Sequence, residues 1–169
     1  MNYWLISDTH FGHTNLDKWG QRSGNWQEQL WAGIASIPDG DTLIHLGDIC
    51  MGDDEDVHVK LDSVTSHLKS RVLVRGNHDK KSFTWYNKYW DFVCDGLDLV
   101  YMGRYLHLTH RPAQPCGNST WNIHGHTHGK IHHSEEYVSW YSKDYHIDIS
   151  PELVGFKPLR LDLLLKNYN

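Results

Sequence analysis

The stretch Trp121-Asn122-Ile123-His124-Gly125-His126-Thr127-His128 joins a short apolar run to three histidines at alternate positions. In an extended strand end, a period of two sends these three side chains to one side, and Gly125 allows the backbone to bend there. Neutral imidazole is the commonest metal ligand in proteins, so the pattern predicts part of a metal site. A surface cluster of hydrogen-bonding histidines is the alternative that this stretch alone leaves open.

The length of the chain, 169 residues, fits one domain spanning residues 1–169, since domains commonly contain about 100–200 residues. The formal net charge of -5 argues against strong non-specific binding of nucleic acid, because that mode requires a basic face. This charge still allows a nucleotide substrate that metal ions hold.

The cysteines and the N-terminus bear on the compartment. Cys50, Cys94 and Cys116 lie far apart without a CxxC motif, which indicates neither a disulfide framework nor a thiolate zinc site. The segment Met1-Asn2-Tyr3-Trp4 leads directly into a predicted strand, without a basic region or a long apolar stretch. We therefore expect a cytoplasmic protein with no membrane partner.

Apolar runs that end in polar residues recur along the chain and are separated by helical patterns. The residues that follow five such runs are Asp8 with His10, Asp48, Asn77 with His78, His110, and His126 with His128. Open α/β sheets carry their chemistry at strand ends, so these side chains form a candidate site. Taken alone, the pair Asp8 and His10 is equally compatible with a turn-forming aspartate beside a hydrogen-bonded histidine.

Periodicity predicts the remaining elements. Residues 26–37 and 57–68 each show one apolar helical face, and the acids between Gly52 and Asp56 are expected to cap the second helix. A short aromatic helix is predicted within residues 80–89. A hairpin is predicted between residues 92–102 and 105–108, around Gly103-Arg104.

In chain order the polar strand ends resemble the motifs of the calcineurin-like metallophosphoesterase family. These motifs are DxH at 8–10, GD at 47–48, GNHD at 76–79, a single histidine at 110 and GHxH at 125–128. The beginning DTHFGH looks like small bacterial and phage-type members. The family often has GDxxD at the second motif, whereas Gly47-Asp48-Ile49-Cys50-Met51 lacks the second acid, which puts in doubt a supporting residue rather than a metal ligand.

The resemblance implies an α/β fold, a four-layer α-β-β-α sandwich with two mixed β-sheets flanked by helices. It also implies two divalent metal ions, manganese first, with iron, zinc, nickel or magnesium also suited to a nitrogen and oxygen ligand set. The implied ligands are Asp8, His10 and His128 for one ion, Asn77, His110 and His126 for the other, and Asp48 as the bridge. A metal-bridging hydroxide would attack phosphorus, His78 would act as general acid, and Asp79 would orient His78 through its other ring nitrogen.

The expected activity is hydrolysis of a phosphodiester, with a cyclic nucleotide, a dinucleotide or a nucleic-acid end as substrate. A phosphomonoesterase, including a protein phosphatase, and a non-catalytic scaffold of the same fold are the alternatives; a purely structural zinc site is disfavoured because such sites are rich in cysteine. Candidate substrate contacts are Arg111 as a phosphate clamp, His13 and Arg22, with a rim hydrogen bond or a structural role as the alternatives for the last two. His132 and His133 are weaker candidates, and the sequence leaves the oligomeric state open.

Overall fold

The computed structural model describes residues 1–16, 22, 24–52, 54–114, 121–130 and 140–168. Within these ranges the strands are β1 (Tyr3–Ile6), β2 (Thr42–His45), β3 (Ser70–Val74), β4 (Phe92–Cys94), β5 (Leu97–Tyr101), β6 (Arg104–Leu108), β7 (Trp121–His124), β8 (His146–Asp148) and β9 (Leu159–Arg160). The helices are α1 (Trp26–Ala35), α2 (Asp54–Val64), α3 (Phe83–Tyr86), α4 (Pro151–Val154) and α5 (Leu161–Lys166).

The strands form two mixed sheets. The first sheet has the order β4-β3-β2-β1-β9, in which only the β1–β9 pair is antiparallel. The second sheet has the order β5-β6-β7-β8, in which only the β5–β6 pair is antiparallel. Two mixed sheets with flanking helices confirm the architecture that the family resemblance implies.

Strand alternation gives the first sheet two apolar faces. Leu43 and Leu73 belong to a buried cluster with residues of α1 and α2, whereas Ile44 and Val74 belong to a second cluster that includes residues of the second sheet. Since successive side chains of a strand point to opposite faces, one face of the first sheet packs on helices and the other on the second sheet. This packing fixes the two sheets relative to each other at the ends where the polar residues lie.

The predicted helices occur in the expected regions, but α1 ends two residues early and α2 begins three residues before the predicted range and ends four residues before its end. The apolar stripe of α1 is buried, and the first turn of α2 contains Asp54, Glu55 and Asp56, which confirms that this acidic run opposes the helix dipole. The short aromatic helix is limited to α3, whose N-cap residue Ser82 accepts a hydrogen bond from the Trp85 backbone N–H at 3.1 Å. No helix in the described ranges is both long enough and apolar enough to span a lipid bilayer.

One predicted strand is wrong in its extent. The expected first arm of the hairpin, residues 92–102, is divided: β4 pairs in parallel with β3 in the first sheet, and β5 pairs with β6 in the second. The division occurs at Asp95 and Gly96, where the chain passes from one sheet to the other. The hairpin itself is confirmed, with Met102 and Gly103 between Tyr101 and Arg104 at positive φ, as a tight turn requires.

Candidate metal and phosphoester site

The site lies where parallel strands of both sheets end. β1, β2 and β3 are adjacent and parallel, so the residues that follow them, Asp8, Asp48 and Asn77, meet at one edge of the first sheet. In the second sheet β6 and β7 are also parallel, and the Gly125 backbone N–H donates to the His110 carbonyl at 3.0 Å. The carboxyl ends of five strands therefore converge on one region.

The first group of possible metal ligands contains Asp8, His10 and His128. The Nε2 atoms of His10 and His128 each lie 3.8 Å from Oδ1 of Asp8. Oδ1 is buried and accepts no hydrogen bond within the described part of the chain, while Oδ2 accepts from Ser7 Oγ at 2.5 Å and from the His126 backbone N–H at 2.9 Å. One carboxylate oxygen is thus fixed and the other is left facing two imidazole nitrogens.

The second group contains Asp48, His110 and His126. Nε2 of His110 lies 3.1 Å from Nδ1 of His126, 3.1 Å from Oδ1 of Asn77 and 3.4 Å from Oδ2 of Asp48. The same Asp48 oxygen lies 3.7 Å from Nε2 of His10 in the first group. The Asp48 carboxylate therefore stands between the two groups, and the Asn77 amide oxygen joins the second.

Backbone conformation, and not strand alternation, directs these side chains. Of the seven described non-glycine residues with positive φ, five belong to the two groups: Asp8, His10, Asp48, His126 and His128. Left-handed backbone is uncommon for such residues and concentrates at functional sites, where the surrounding structure enforces it. The sequence pattern contains no signal for it.

The expectation that His124, His126 and His128 point to one side is wrong. β7 ends at His124, whose side chain is fully buried beside the rings of Tyr141 and His146. The positive φ values of His126 and His128 then interrupt the alternation, so that these two histidines enter different ligand groups. His124 belongs to neither group.

Gly125 is required for close approach of the backbone to Asp8. A Cβ atom at this position would lie 2.0 Å from Oδ2 of Asp8 and 2.0 Å from Oγ of Ser7. The φ of Gly125 is not positive; the bend expected there occurs at the following residues. Only glycine allows the turn after β7 to rest directly against the residues that follow β1.

Arg22 lies behind the site, and the predicted substrate contact is corrected accordingly. The residue is only 2% exposed. The guanidinium donates to the carbonyl of Asp8 at 2.6 Å, to the carbonyl of Thr9 at 3.2 Å and to Oε1 of Glu152 at 2.7 Å. Because this buried cation is committed to protein oxygens, it supports the first ligand group.

Glu152 is a supporting residue that the sequence did not reveal. Its Oε1 lies 3.0 Å from Nδ1 of His128, which leaves Nε2 of that ring facing Asp8. Burial would raise the pKa of Glu152, but His128 and Arg22 outweigh it and lower the pKa to about 2. The residue lies in the first turn of α4, 130 positions from Arg22, and no local spacing connects it with the motifs.

His45 is a second supporting residue that the sequence pattern does not indicate. Its Nδ1 accepts from the Gly47 backbone N–H at 3.0 Å, so the proton of the neutral ring lies on Nε2, 3.0 Å from Thr9 Oγ1. Burial lowers the pKa of His45 to about 3. This neutral imidazole joins the loops that follow β1 and β2.

His78 is placed differently from the ligand groups, and the role expected of Asp79 is wrong. The His78 side chain is 37% exposed, and its Nε2 lies 3.9 Å from Oδ2 of Asp48. The carboxylate of Asp79 instead accepts hydrogen bonds from the backbone N–H groups of Gly76, Asp48 and Ile49, at 2.7, 2.8 and 3.1 Å respectively. Because three amides satisfy this carboxylate, it fixes the loops after β2 and β3 and does not orient the His78 ring.

The turn from His126 to Gly129 is held from the opposite side by the end of β8. The carboxylate of Asp148 accepts from Thr127 Oγ1 and from the Gly129 backbone N–H, the latter at 3.2 Å. Ser150 Oγ accepts from the His128 backbone N–H at 3.2 Å. These bonds hold His128 in the first group.

The imidazoles of the two groups differ in their pKa values. Burial lowers the pKa of His10 to about 3, and burial with the positive charge of His110 lowers that of His126 to about 4. Burial also opposes the charge on His110, but the nearby carboxylates of Asp48 and Asp8 outweigh it and raise its pKa to about 9. The groups thus offer neutral nitrogen ligands and a region that favours positive charge.

Two cavities open beside the ligand groups. The first cavity, of about 380 Å³, is lined by His10, His13, Leu16, Asp48, Met51, Asn77, His78, His126 and His128. The second cavity, of about 370 Å³, is lined by Arg75, Gly76, Asn77, Asp95, Thr109, His110, Arg111, Pro112 and Ala113. The structure therefore places His13 and Arg111 at the site, on different sides, whereas His132 and His133 lie outside the described residues.

Comparison with known proteins agrees with this arrangement. The model of the calcineurin-like phosphoesterase superfamily domain matches residues 1–141. An uncharacterized protein of Methanocaldococcus jannaschii is 29% identical over 174 residues, covering 96% of this chain and 89% of that protein. Two solved structures share the fold: a protein of unknown function from Aquifex aeolicus (TM-score 0.74, 23% identity, 98% of each chain) and an archaeal phosphodiesterase (TM-score 0.51, 19% identity, 89% of this chain and 83% of that one).

Proposed function

The chain belongs to the calcineurin-like phosphoesterase superfamily, and we propose that it hydrolyses phosphodiesters with two divalent metal ions bound at the strand ends. The observation that carries the proposal is the position of Asp48. Its Oδ2 lies 3.7 Å from Nε2 of His10 and 3.4 Å from Nε2 of His110, so one carboxylate is available to both ligand groups. Two ions that share a bridging ligand act together on one phosphate.

The residues fit divalent ions. Oδ1 of Asp8 is buried without a hydrogen bond from the described residues, and a buried carboxylate oxygen normally requires a partner. Both groups combine imidazole nitrogens with carboxylate oxygens and contain no sulfur, a set that suits manganese, iron, zinc, nickel or magnesium. Manganese is the ion we propose first.

Divalent ions at these groups supply Lewis acidity, which lowers the pKa of water and neutralises phosphate charge. During hydrolysis the oxygen of water bonds to phosphorus, the phosphorus–oxygen bond to one alcohol breaks, and the leaving oxygen takes up a proton. His78 is proposed as the donor of that proton, because it lines the first cavity and its Nε2 is 3.9 Å from the Asp48 carboxylate. The loops held by Asp79 keep His78 beside the ligand groups.

A diester is favoured over a monoester because a structure of the same fold is described as an archaeal phosphodiesterase, and a nucleotide-derived diester is the proposed class of substrate. The test measures kcat/KM on bis(4-nitrophenyl) phosphate and on 4-nitrophenyl phosphate with each of the five metals. A preference for the monoester would instead support a phosphatase. No turnover of any phosphoester would support the non-catalytic scaffold.

Elemental analysis of bound metal tests whether Asp48 serves both ligand groups. We expect two ions per chain, and Asp48→Asn should weaken both because the carboxylate serves both groups. Asp98→Asn, which makes the same change in charge on β5 at an exposed position, should keep both ions. Retention of two ions by Asp48→Asn would contradict the bridging assignment.

His78→Ala separates proton donation from metal binding. The variant should keep both ions while turnover of a diester with a poor leaving group falls by about 10²-fold or more. A nitrophenyl diester should slow less, because its leaving group needs little protonation. His107→Ala, a change at a remote histidine paired with Asp98, serves as the control. Loss of metal from His78→Ala, or equal slowing of both esters, would contradict the general-acid role of His78.

A further inference from the structure

The two cavities beside the ligand groups differ in chemistry. Both reach Asn77, so a phosphate bound near this residue has one cavity on each side. Each cavity is about 370–380 Å³, which is within the range of small-molecule sites. A phosphodiester carries two organic arms on one phosphorus, and the site offers a separate space for each.

The first cavity is apolar or weakly polar apart from the candidate ligands. Its other lining residues are His13, Leu16, Met51 and His78. No lysine or arginine lines this cavity, and Asp48 is its only carboxylate among the described residues. It suits an uncharged arm, and His78 lies on this side to protonate the oxygen of that arm.

Among the described residues that line the second cavity, two arginines stand against one carboxylate. Arg75 donates through Nε and Nη2 to Oδ1 of Asp95 at 2.9 and 2.7 Å, and its guanidinium lies 3.8 Å over the ring of Phe83. Arg111 is exposed, and within the described part of the chain no carboxylate or carbonyl accepts a hydrogen bond from its guanidinium. With Arg75 and Asp95 paired, the charge of Arg111 remains available to an anion.

We propose that the substrate is a phosphodiester in which one arm bears a further phosphate. This anionic arm lies in the second cavity against Arg111. The other, uncharged arm lies in the first cavity and leaves with a proton from His78. The inference rests on the proposed diester hydrolysis and adds which of the two phosphoester bonds breaks. The scissile phosphorus stays with the anionic arm: water adds to it, and the bond to the oxygen of the uncharged arm breaks.

Two unactivated probes test this direction without the bias of a good leaving group. Dithymidine phosphate carrying a 5′-terminal phosphate should yield thymidine and thymidine 3′,5′-bisphosphate. The isomer carrying a 3′-terminal phosphate should yield the same two products, because in both the new phosphomonoester remains on the phosphorylated nucleoside. Cleavage in the opposite direction gives two thymidine 5′-monophosphates or two thymidine 3′-monophosphates, and those products, or a mixture of both directions, would overturn the inference.

The role of Arg111 is measured as a ratio. The terminal phosphate should raise kcat/KM of the wild type by about tenfold or more over unphosphorylated dithymidine phosphate, because it gains a charge-assisted contact. Arg111→Gln should bring this ratio close to one, and Arg111→Lys should restore part of it. Arg71→Gln removes an equal charge at the opposite end of β3, where the side chain pairs with Asp62 and Asp91, and should keep the wild-type ratio.

The outcomes distinguish the two proposals. Failure of the metal-loaded wild type to hydrolyse bis(4-nitrophenyl) phosphate contradicts the proposed function itself. Hydrolysis of that diester with no preference for the phosphorylated dinucleotides contradicts only the present inference. Equal slowing of all diesters by Arg111→Gln would place Arg111 on the scissile phosphate and would likewise overturn it.

Discussion

Replacing Gly125 with alanine tests whether the turn after β7 must rest against Asp8. The added Cβ would lie 2.0 Å from Oδ2 of Asp8 and 2.0 Å from Oγ of Ser7. Non-bonded heavy atoms prefer separations of about 3.5 Å, so these atoms must move apart by about 1.5 Å. Site geometry is typically maintained only if ligands stay within about 0.5 Å of their positions.

The expected cost follows from the bonds that this movement breaks. Oδ2 of Asp8 accepts from Ser7 Oγ at 2.5 Å and from the His126 backbone N–H at 2.9 Å. Hydrogen bonds to charged groups contribute about 1.5–3 kcal/mol each, so the loss of both bonds in Gly125→Ala should lower the free energy of unfolding by about 3–6 kcal/mol. Because Asp8 and His126 belong to different ligand groups, we expect both ions to bind more weakly.

Urea unfolding and elemental analysis of purified protein measure these two effects. Gly103→Ala is the control, since Gly103 has φ of 75° in the β5–β6 turn and a Cβ there meets no atom within 4 Å. That variant should lose only about 1 kcal/mol through backbone strain and keep both ions. If Gly125→Ala unfolds at the wild-type urea concentration and retains two ions, the argument from close approach is wrong.

Two further predictions concern supporting residues. Glu152→Gln removes the charge that His128 and Arg22 share, so metal affinity in chelator competition should fall about 10–100-fold, whereas the exposed change Glu28→Gln should leave it unaltered; equal affinities would contradict the supporting role. In metal-free protein the pKa of His45 is about 3 in the folded state, against 6.5 for an exposed histidine. The stability that the neutral ring contributes is therefore fully present above pH 6.5 and is lost as the pH falls toward 3, by up to about 1.4 kcal/mol per pH unit. His45→Gln should make the decline of the urea midpoint with acid less steep, and an unchanged slope would argue against a buried neutral ring.

The sequence predicted which residues meet because strand topology alone determines that part of the site. Asp8, Asp48 and Asn77 follow apolar runs that pair as adjacent parallel strands, and parallel strands deliver their carboxyl ends to one edge. The resemblance then assigned the same residues to two ligand sets. Their roles as ligands, like the assignment of residues 1–169 to one domain, stay predictions.

The errors have a common physical origin. Strand periodicity placed His124 beside His126 and His128, but periodicity holds only while the backbone remains extended, and β7 ends at His124. The side chains of Arg22 and Asp79 were expected to contact a substrate and a histidine, yet both bind backbone groups of the loops that carry the ligands. Backbone partners leave no trace in residue type or spacing, so local sequence cannot reveal them.

These buried supports explain how the strained loops persist. Positive φ at Asp8, His10 and Asp48 raises the energy of the loops after β1 and β2, and such a conformation persists only where surrounding contacts enforce it. Arg22 holds the Asp8 carbonyl from behind, and Asp79 holds the Asp48 amide.

Without such contacts the loops would relax to ordinary backbone, and the carboxylates would turn away from the imidazoles. With them, Asp48 and Asp8 face His110 closely enough to raise its pKa to about 9. In metal-free protein a proton on His110 thus supplies positive charge in a region that the strained loops hold open for a cation. A divalent ion that binds there must displace that proton, because only the neutral imidazole coordinates a metal.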